Sequence, residues 1–177
     1  MPVKLREVTR EDLPLLLAWA WIPEIWKYLP TSRRREKLLW GEHIAWWHTR
    51  QYRDDQMIMV DGRSVGVVHI SDLNTSTPEV GIYIGEISSW GMGIGKQALQ
   101  EFVRQVSWGG FQKLHAVIHP RNKRSVNLFT QCGFRKIGKA RKGQDLYEFD
   151  YRTSVRSTSP VSEPQGGDRP GCQPVPA

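Results

Sequence analysis

Hydrophobic and polar positions along the chain follow two periods, one typical of strands and one typical of helices. Lys4–Val8 alternates as a strand does, and the stretch after the N-cap candidate Thr9 predicts a helix to about residue 20. Asp61-Gly62 is a strong hairpin signal between two strands. The predicted strands after the first are Gln56–Val60, Ser64–Ser71, Glu79–Ile84, Lys113–Ile118, Phe134–Lys139 and Leu146–Tyr151. Further helices are predicted over about 36–50, from the glycines after residue 90 to about 106, and over 122–132.

The order of these elements, β-α-α-β-β-β-α-β-α-β-β, predicts an α/β fold. We expect a mixed, largely antiparallel sheet of about six or seven strands, flanked by about four helices. A strand–helix–strand crossover lies in the second half. Pro23 and Pro30 bracket a short, aromatic-rich stretch that we expect to be irregular.

Length and composition predict one globular domain over residues 1–152. The chain has 177 residues, too few for two ordinary domains. Residues 153–177 contain five prolines and three glycines and almost no large apolar side chain, so we expect a disordered tail. No apolar run approaches the roughly 20 residues that span a bilayer. The N-terminus lacks a signal-peptide pattern, and Cys132 and Cys172 do not suggest a disulfide framework, so we expect a cytoplasmic protein.

The formal net charge is +7, and the tail contributes none of it, because Arg156 and Arg169 balance Glu163 and Asp168. A basic domain attracts anions such as phosphorylated small molecules, nucleic acid or acidic membranes. A solvated basic face explains the charge equally well, so charge alone does not choose a partner.

Glycines alternate at Gly91, Gly93 and Gly95, between a predicted strand and a predicted helix. Glycine lets the backbone approach a ligand, and the amides of the turn and the helix N-terminus can point at one anion. Lys96 adds a cation at the same place. The stretch predicts a phosphate or pyrophosphate site, although a tight turn alone would explain it equally well.

Two classes of phosphate site fit the sequence poorly. A P-loop needs four residues between its glycines and a Ser or Thr after the lysine, whereas Gln97 follows Lys96. A dinucleotide fingerprint is nominally present at Gly93-x-Gly95-x-x-Ala98. The next predicted strand ends at His119-Pro120, with no acidic residue for a ribose hydroxyl, and the chain has too few strand–helix units.

A third class fits both this turn and a second motif. The stretch Trp90-Gly91-Met92-Gly93-Ile94-Gly95 resembles motif A of the GNAT acyltransferases, Arg/Gln-x-x-Gly-x-Gly/Ala, with Trp90 in place of Arg/Gln. The stretch from Asn122 through Ser125, Leu128 and Phe129 to Gly133-Phe134 resembles the family's Asn-x-x-Ala/Ser-x-x-Leu-Tyr-x-x-x-Gly-Phe. The resemblance covers about residues 56–150. It is nearest to the branches that acetylate amino sugars or protein N-termini.

The resemblance implies acetyl-CoA as co-substrate and requires no metal. It also implies a splayed parallel strand pair at the cofactor site, where free backbone groups hold the pantetheine arm. The strand positions are about Ile82 to Gly85; Gly85 either marks a bulge or simply ends the strand. Asn122 is either a cofactor contact or a helix N-cap, or both. The cofactor-binding residues implied are Ile82, Tyr83, Ile84, Trp90, Gly91, Met92, Gly93, Ile94, Gly95, Lys96, Asn122, Ser125 and Phe129.

Acyl transfer to an amine requires a base, oxyanion donors and an acid for the thiolate. Glu79 stands where many family members carry a catalytic glutamate, and His69 on the preceding strand is the other candidate base. A surface glutamate and a structural histidine are the plain alternatives. Phe129 occupies the position of the family's tyrosine, the usual proton donor, and phenylalanine cannot donate. The acid is therefore unassigned.

The family's acceptor side lies in the first two helices and their connection, where this chain has six of its eight tryptophans and the run Arg33-Arg34-Arg35. We expect Trp26, His43 and Trp47 to contact the acceptor, although core packing would explain at least half of the tryptophans. A basic, aromatic acceptor side favours a nucleotide-linked 4-amino-dideoxy sugar. A protein or peptide N-terminal amine comes next, and an aminoglycoside after it.

Phe129 also motivates a different hypothesis, a non-catalytic CoA-binding domain. A nucleic-acid-binding module is a third class, which steeply salt-dependent RNA binding would support. We expect neither nucleic acid nor a membrane as a partner, and the sequence leaves a homodimer open.

Overall fold

The computed structural model describes residues 2–28 and 40–154. Its seven strands lie close to the predicted ones: β1 Val3–Glu7, β2 Asp54–Val60, β3 Arg63–Ser71, β4 Glu79–Ile84, β5 Lys113–Ile118, β6 Arg135–Lys139 and β7 Asp145–Asp150. The described α-helices are α1 Leu13–Ala20, α2 Pro23–Trp26, α3 Trp40–Thr49, α4 Ile94–Val106, α5 Lys123–Gln131 and α6 Tyr151–Ser154.

Local sequence signals account for several element boundaries. Asp61 and Gly62 both have positive φ, 48° and 79°, as a tight hairpin turn between β2 and β3 requires. Thr9 precedes a 3₁₀ turn that leads into α1, and its backbone N–H donates to the Asp12 carboxylate at 2.9 Å. Asn122 caps α5 by accepting a hydrogen bond from the Ser125 N–H at 3.3 Å.

The strands form one mixed sheet in the order β1-β2-β3-β4-β5-β7-β6. Every neighbouring pair is antiparallel except β4 and β5, which are parallel. These two strands pair at a single position, Glu79 opposite His115, and then diverge. The predicted α/β fold, with a largely antiparallel sheet and one splayed parallel pair, is confirmed.

Both faces of the sheet are covered in its first half, so adjacent residues of one strand enter different cores. Ile58 and Val68 belong to the cluster beneath α4 and α5, whereas Met57 and Val67 belong to the cluster beneath α1. Apolar residues repeat along α4 at helical spacing and form its buried face. They are Ile94, Ala98, Leu99, Phe102 and Val103.

The number of helices differs from the expected one, and several predicted features lie outside the described residues. The described residues form six α-helices instead of about four, because Pro23 starts a one-turn helix in the stretch expected to be irregular and Tyr151 starts another after β7. Pro30, Arg33-Arg34-Arg35, the predicted helix start at 36–39 and the tail from 155 lie outside the described residues. Within the described ranges, no helix is both long and apolar enough to cross a bilayer.

Candidate active site

The divergence of β4 from β5 opens a cleft of about 740 Å³ that runs from the glycine turn to helices α1, α2 and α3. Most of the residues singled out from the sequence line it: Trp26, His43, His69, Glu79, Ile82, Tyr83, Ile84, Trp90, Gly91, Gly93, Ile94, Gly95, Lys96, Asn122, Ser125 and Phe129. The fold thus brings both motifs and both candidate bases to one cavity.

At one end of the cleft the glycine turn presents bare amides. Gly91 and Gly93 have φ values of 81° and 77°, a left-handed conformation that side chains rarely adopt, and Gly93 leads directly into α4. Within the described residues, none accepts a hydrogen bond from the amides of residues 91–96. The amides and the positive end of α4 make this an anion site.

Gly95 differs from the other two glycines. Its φ is not positive, and a Cβ there would make an ordinary 3.5 Å contact with Leu128. The fold therefore permits alanine at position 95, in agreement with the Gly/Ala alternative of the motif.

Trp90 ties the turn to the end of β4. Its indole N–H donates to the Ile84 carbonyl at 2.9 Å, and the Arg124 guanidinium lies over its ring at 4.6 Å. The Ile84 carbonyl thus already accepts one hydrogen bond, and the predicted contact of Ile84 with the cofactor stays a prediction. Arg124 brings a cation to the place where the motif usually has Arg or Gln, a role that sequence reasoning missed.

The strand before the turn ends in an irregularity at Gly85. The amides of both Gly85 and Glu86 donate to the Val65 carbonyl, at 2.8 and 3.1 Å, so two residues of one strand face one residue of its neighbour. A Cβ at position 85 would lie 2.1 Å from the Trp19 ring. The close approach of Trp19 therefore requires glycine at position 85, which lies at the bulge.

The backbone of β4 offers one further donor. The carbonyls of Pro78 and Ile84 point toward the β5 side, where they accept from His115 and Trp90. Backbone groups of alternate residues in a strand face the same neighbour, so the N–H and C=O of Ile82 also face the open side of the splay.

Phe129 is 4% exposed and packs edge-on against Phe134, with ring centroids 4.9 Å apart. It lines the cleft as predicted, yet its side chain is part of the main core. Phenylalanine has no hydroxyl, so it adds no proton donor to the part of the cleft that it lines.

The two candidate bases lie on the face of β3 and β4 that the first helices cover. Glu79 stands where β4 and β5 still pair, at the closed end of the splay, while His69 is opposite Gly81 in the β3–β4 register. Asp55 of β2 is in turn opposite His69. Burial opposes ionisation of Asp55, but hydrogen bonds from Arg53 and the charges of Arg53, His69 and Arg50 hold the pKa of that carboxyl below its ordinary value.

On the acceptor side, Trp26 is 9% exposed, its indole N–H donates to the Trp19 carbonyl at 3.0 Å, and its ring lies 4.9 Å from that of Tyr83. His43 reaches the cleft from α3.

Trp47 does not line the cleft: it packs on the α1 cluster, and the Arg50 guanidinium lies 3.3 Å over its ring. Met92 is half exposed outside the cleft lining. Neither side chain lines the cleft, so the predicted contacts of Trp47 with the acceptor and of Met92 with the cofactor stay predictions.

Several cleft residues were missed from the sequence: Tyr28, Arg53, Asp55, His119 and Arg124. His119 directly follows β5, accepts a hydrogen bond from the Arg121 N–H at 3.2 Å, and stacks against Tyr28 at 5.5 Å. Its place at the carboxyl end of a parallel strand was the one usable signal, since such ends line clefts in α/β sheets. Among the described residues, no group of three or more His, Cys, Asp or Glu side chains could hold a metal ion.

A family of known proteins matches most of the chain. Residues 3–135 match the model of a family described as the acetyltransferase (GNAT) domain. The match includes the glycine turn, Asn122 and Phe129, and thus the donor end of the cleft.

Individual relatives extend this result. An uncharacterized protein of Methanocaldococcus jannaschii is 39% identical over 148 residues, which are 81% of this chain but 30% of that protein. The chain thus spans less than a third of the length of this curated relative. The crystal structure of a domain from Methanocaldococcus jannaschii has 38% identity and a TM-score of 0.78, covering 84% of this chain and 98% of that one.

A more distant similarity concerns the fold alone. The structure of AAC(6')-Ib with paromomycin and acetyl-CoA has a TM-score of 0.78 at 16% identity, covering 90% of this chain and 99% of that one.

Proposed function

Because this chain belongs to the GNAT acetyltransferase family, we propose that it transfers the acetyl group of acetyl-CoA to the primary amine of a nucleotide-linked 4-amino-dideoxy sugar. The observation that carries the proposal is the single cleft that joins the glycine turn, the open edge of β4 and an aromatic acceptor end. The donor, the reacting centre and the acceptor each have a place in it.

At the donor end, the amides of residues 91–96 bind the pyrophosphate of CoA, and Lys96 and Arg124 add positive charge. The pantetheine arm enters the splay beside β4. There the N–H of Ile82 donates to the thioester carbonyl and stabilises the oxyanion that develops during attack. Asn122 and Ser125 line the same wall.

At the acceptor end, the faces of Trp26, Tyr83 and Tyr28 suit the apolar face of a sugar ring. The amine attacks the thioester carbon, an N–C bond forms, and the C–S bond breaks. A base, Glu79 or His69, takes the proton that the amine loses. The thiolate of CoA gains one proton through solvent, since Phe129 has none to give, and the products are an amide and CoA.

A second acceptor class, aminoglycosides, is favoured by one specific observation. Glu24 and Glu79 both line the acceptor end, and carboxylates attract polycationic sugars. Asp55 is already paired with Arg50 and Arg53 at 2.7 and 2.8 Å, so a polycationic acceptor would compete with these arginines for it. A nucleotide-linked sugar carries both an ammonium group, which these carboxylates attract, and phosphates, which the net charge of +7 attracts.

The test is a thiol-release screen of acetyl-CoA against nucleotide-linked amino sugars, peptides with free N-termini and aminoglycosides, with product mass spectrometry. We expect the highest kcat/KM with a nucleotide-linked 4-amino sugar and the addition of one acetyl group. A higher kcat/KM for an aminoglycoside or a peptide would replace the proposed acceptor. Binding of acetyl-CoA by calorimetry without turnover on any amine would instead favour a non-catalytic CoA-binding domain.

A further inference from the structure

Three cleft residues form one row across three adjacent strands. Asp55 of β2 is opposite His69 of β3, and His69 is opposite Gly81 of β4. Residues paired in this way project from the same face of the sheet. All three line the cleft. The row therefore runs from the buried Asp55 on β2 to Gly81 on β4, the strand that borders the splay.

Gly81 leaves space above β4 for the His69 side chain. A Cβ on Gly81 would lie 2.4 Å from both Cε1 and Nε2 of His69, closer than real Cβ contacts come. The φ of Gly81 is not positive, so its backbone does not demand glycine. The absent side chain therefore makes room for the imidazole, whose Cε1 and Nε2 lie closer to the position of that Cβ than its Nδ1 does.

Asp55 lies at the other end of the row, and its pKa is held below the ordinary value. It is 4% exposed, and it accepts hydrogen bonds from Arg50 at 2.7 Å and Arg53 at 2.9 Å. The charge of His69 lowers the pKa of Asp55, and an attraction between two groups acts on both of them. Asp55 therefore stabilises the protonated form of His69.

We infer that His69 is the general base and that Asp55 and Gly81 are its positioning residues. Gly81 lets the imidazole reach the acceptor amine beside β4, and Asp55 stabilises the imidazolium formed when His69 takes the proton. The inference rests on the proposed function. The base accepts one proton from the amine nitrogen as the N–C bond forms and releases it to solvent after the C–S bond has broken.

Other charged or titratable groups border this row. Arg50 and Arg53 flank Asp55, Glu79 precedes Gly81 by two residues on the same face, and His43 lines the cleft from α3. The arginines oppose protonation of His69 and the carboxylates favour it. Asp55 is the carboxylate directly paired with His69 in the register, which makes it the group to change.

A double-mutant cycle tests the role of Gly81. We expect Gly81→Ala to lower kcat by about 100-fold, because its methyl displaces the imidazole, with little change in KM for acetyl-CoA. In a His69→Ala background, Gly81→Ala should lower kcat no further, since no ring remains to be displaced. Gly138→Ala is the matched control, because a Cβ there meets no atom within 4 Å. Equal losses from Gly81→Ala in both backgrounds would overturn the inference.

An NMR titration of the His69 ring tests Asp55 without requiring turnover. Asp55→Asn removes the carboxylate and leaves Arg50 and Arg53 in place, so the pKa of His69 should fall. An unchanged pKa in a folded Asp55→Asn protein would remove Asp55 from the proposal. The Gly81 variants leave both ion pairs of Asp55 intact, so they still test His69 as the base if Asp55→Asn does not fold. An inactive parent protein would end the proposed function, whereas the ring signals would still report whether Gly81→Ala displaces His69.

Discussion

The Cα of Gly85 lies beneath the indole of Trp19, so close that a Cβ on residue 85 would be 2.1 Å from the ring. Trp19 is 2% exposed, and its indole N–H donates to the Glu86 carboxylate at 3.3 Å. The contact joins α1 to the end of β4, where the bulge begins. The acceptor-side helix is therefore anchored directly on the strand that borders the cofactor cleft.

This contact predicts that Gly85→Ala destabilises the protein. A methyl group inserted beneath a buried ring forces side chains and backbone to shift, at a cost of about 1–3 kcal/mol. Urea unfolding of the parent and variant proteins measures the difference. Gly138→Ala, whose Cβ meets no atom within 4 Å, should change the free energy of unfolding by much less. Equal effects at the two positions would show that Trp19 can move aside.

Alanine substitutions at two glycines should distinguish an effect on stability from an effect on cofactor binding. Gly93 and Gly62 have φ values of 77° and 79°, and a Cβ on either residue would meet no atom within 4 Å. Alanine at either site costs about 1–2 kcal/mol in the left-handed region. Gly93→Ala should also weaken acetyl-CoA binding by at least about tenfold, since its methyl and altered backbone disturb the anion site.

Isothermal calorimetry with acetyl-CoA measures this second effect. Gly62 lies in the β2–β3 hairpin, away from the cleft lining, so Gly62→Ala serves as the strain-matched control with unchanged affinity. A similar loss of affinity in both variants would indicate a general effect of strain and count against the pyrophosphate site at residues 91–96.

The Asp12 carboxylate predicts how stability depends on pH. Arg6 binds it through two hydrogen bonds of 2.7 Å, and the Thr9 N–H adds a third at 2.9 Å. These hydrogen bonds hold the pKa of Asp12 below its ordinary value of 3.8 despite burial, and those from Arg6 have the largest effect. The folded state therefore binds fewer protons than the unfolded state, and the stabilisation is present above pH 3.8 and lost as pH falls through the folded-state pKa.

Asp12→Asn should lower the free energy of unfolding by about 1–2 kcal/mol at pH 7. The gap between variant and parent should narrow as the pH falls below 3.8. Urea unfolding at several pH values measures it. Glu7→Gln removes a neighbouring negative charge without touching these hydrogen bonds, so it should leave the profile nearly unchanged. A gap that stays constant down to low pH would contradict the ionic origin of the effect.

Cys132 is predicted to be an inert thiol. It is 8% exposed, and burial raises its pKa to about 11, partly offset by the charge of Lys96. At pH 8 its thiolate fraction is about a hundredfold below that of an ordinary cysteine. In a Cys172→Ser protein, Ellman's reagent should modify Cys132 at least about 100 times more slowly in the folded state than in urea. Rapid reaction of the folded protein would contradict the burial of the thiol.

Much of the fold was predictable because it depends on short-range patterns. The Asp61-Gly62 hairpin, the extent of α4 and β5, and the N-cap at Asn122 each follow from a few neighbouring residues. The glycine turn was predictable for the same reason, since alternating glycines before a helix give the local backbone its shape. The predicted tail at 153–177 and the roles of Glu79 and His69 stay predictions.

Other features could not be predicted because they join residues that are distant in the chain. The sequence predicted an acceptor contact for both Trp26 and Trp47. Trp26 lines the cleft, whereas Trp47 lies beneath Arg50. Gly81 and Gly85 look alike, but one accommodates a histidine of β3 and the other a tryptophan of α1. The sequence by itself determined the elements and the glycine turn, because local sterics and periodicity act within a few residues. Only the tertiary structure decided which side chains face the cleft, because sheet register and the packing of helices on it set those contacts.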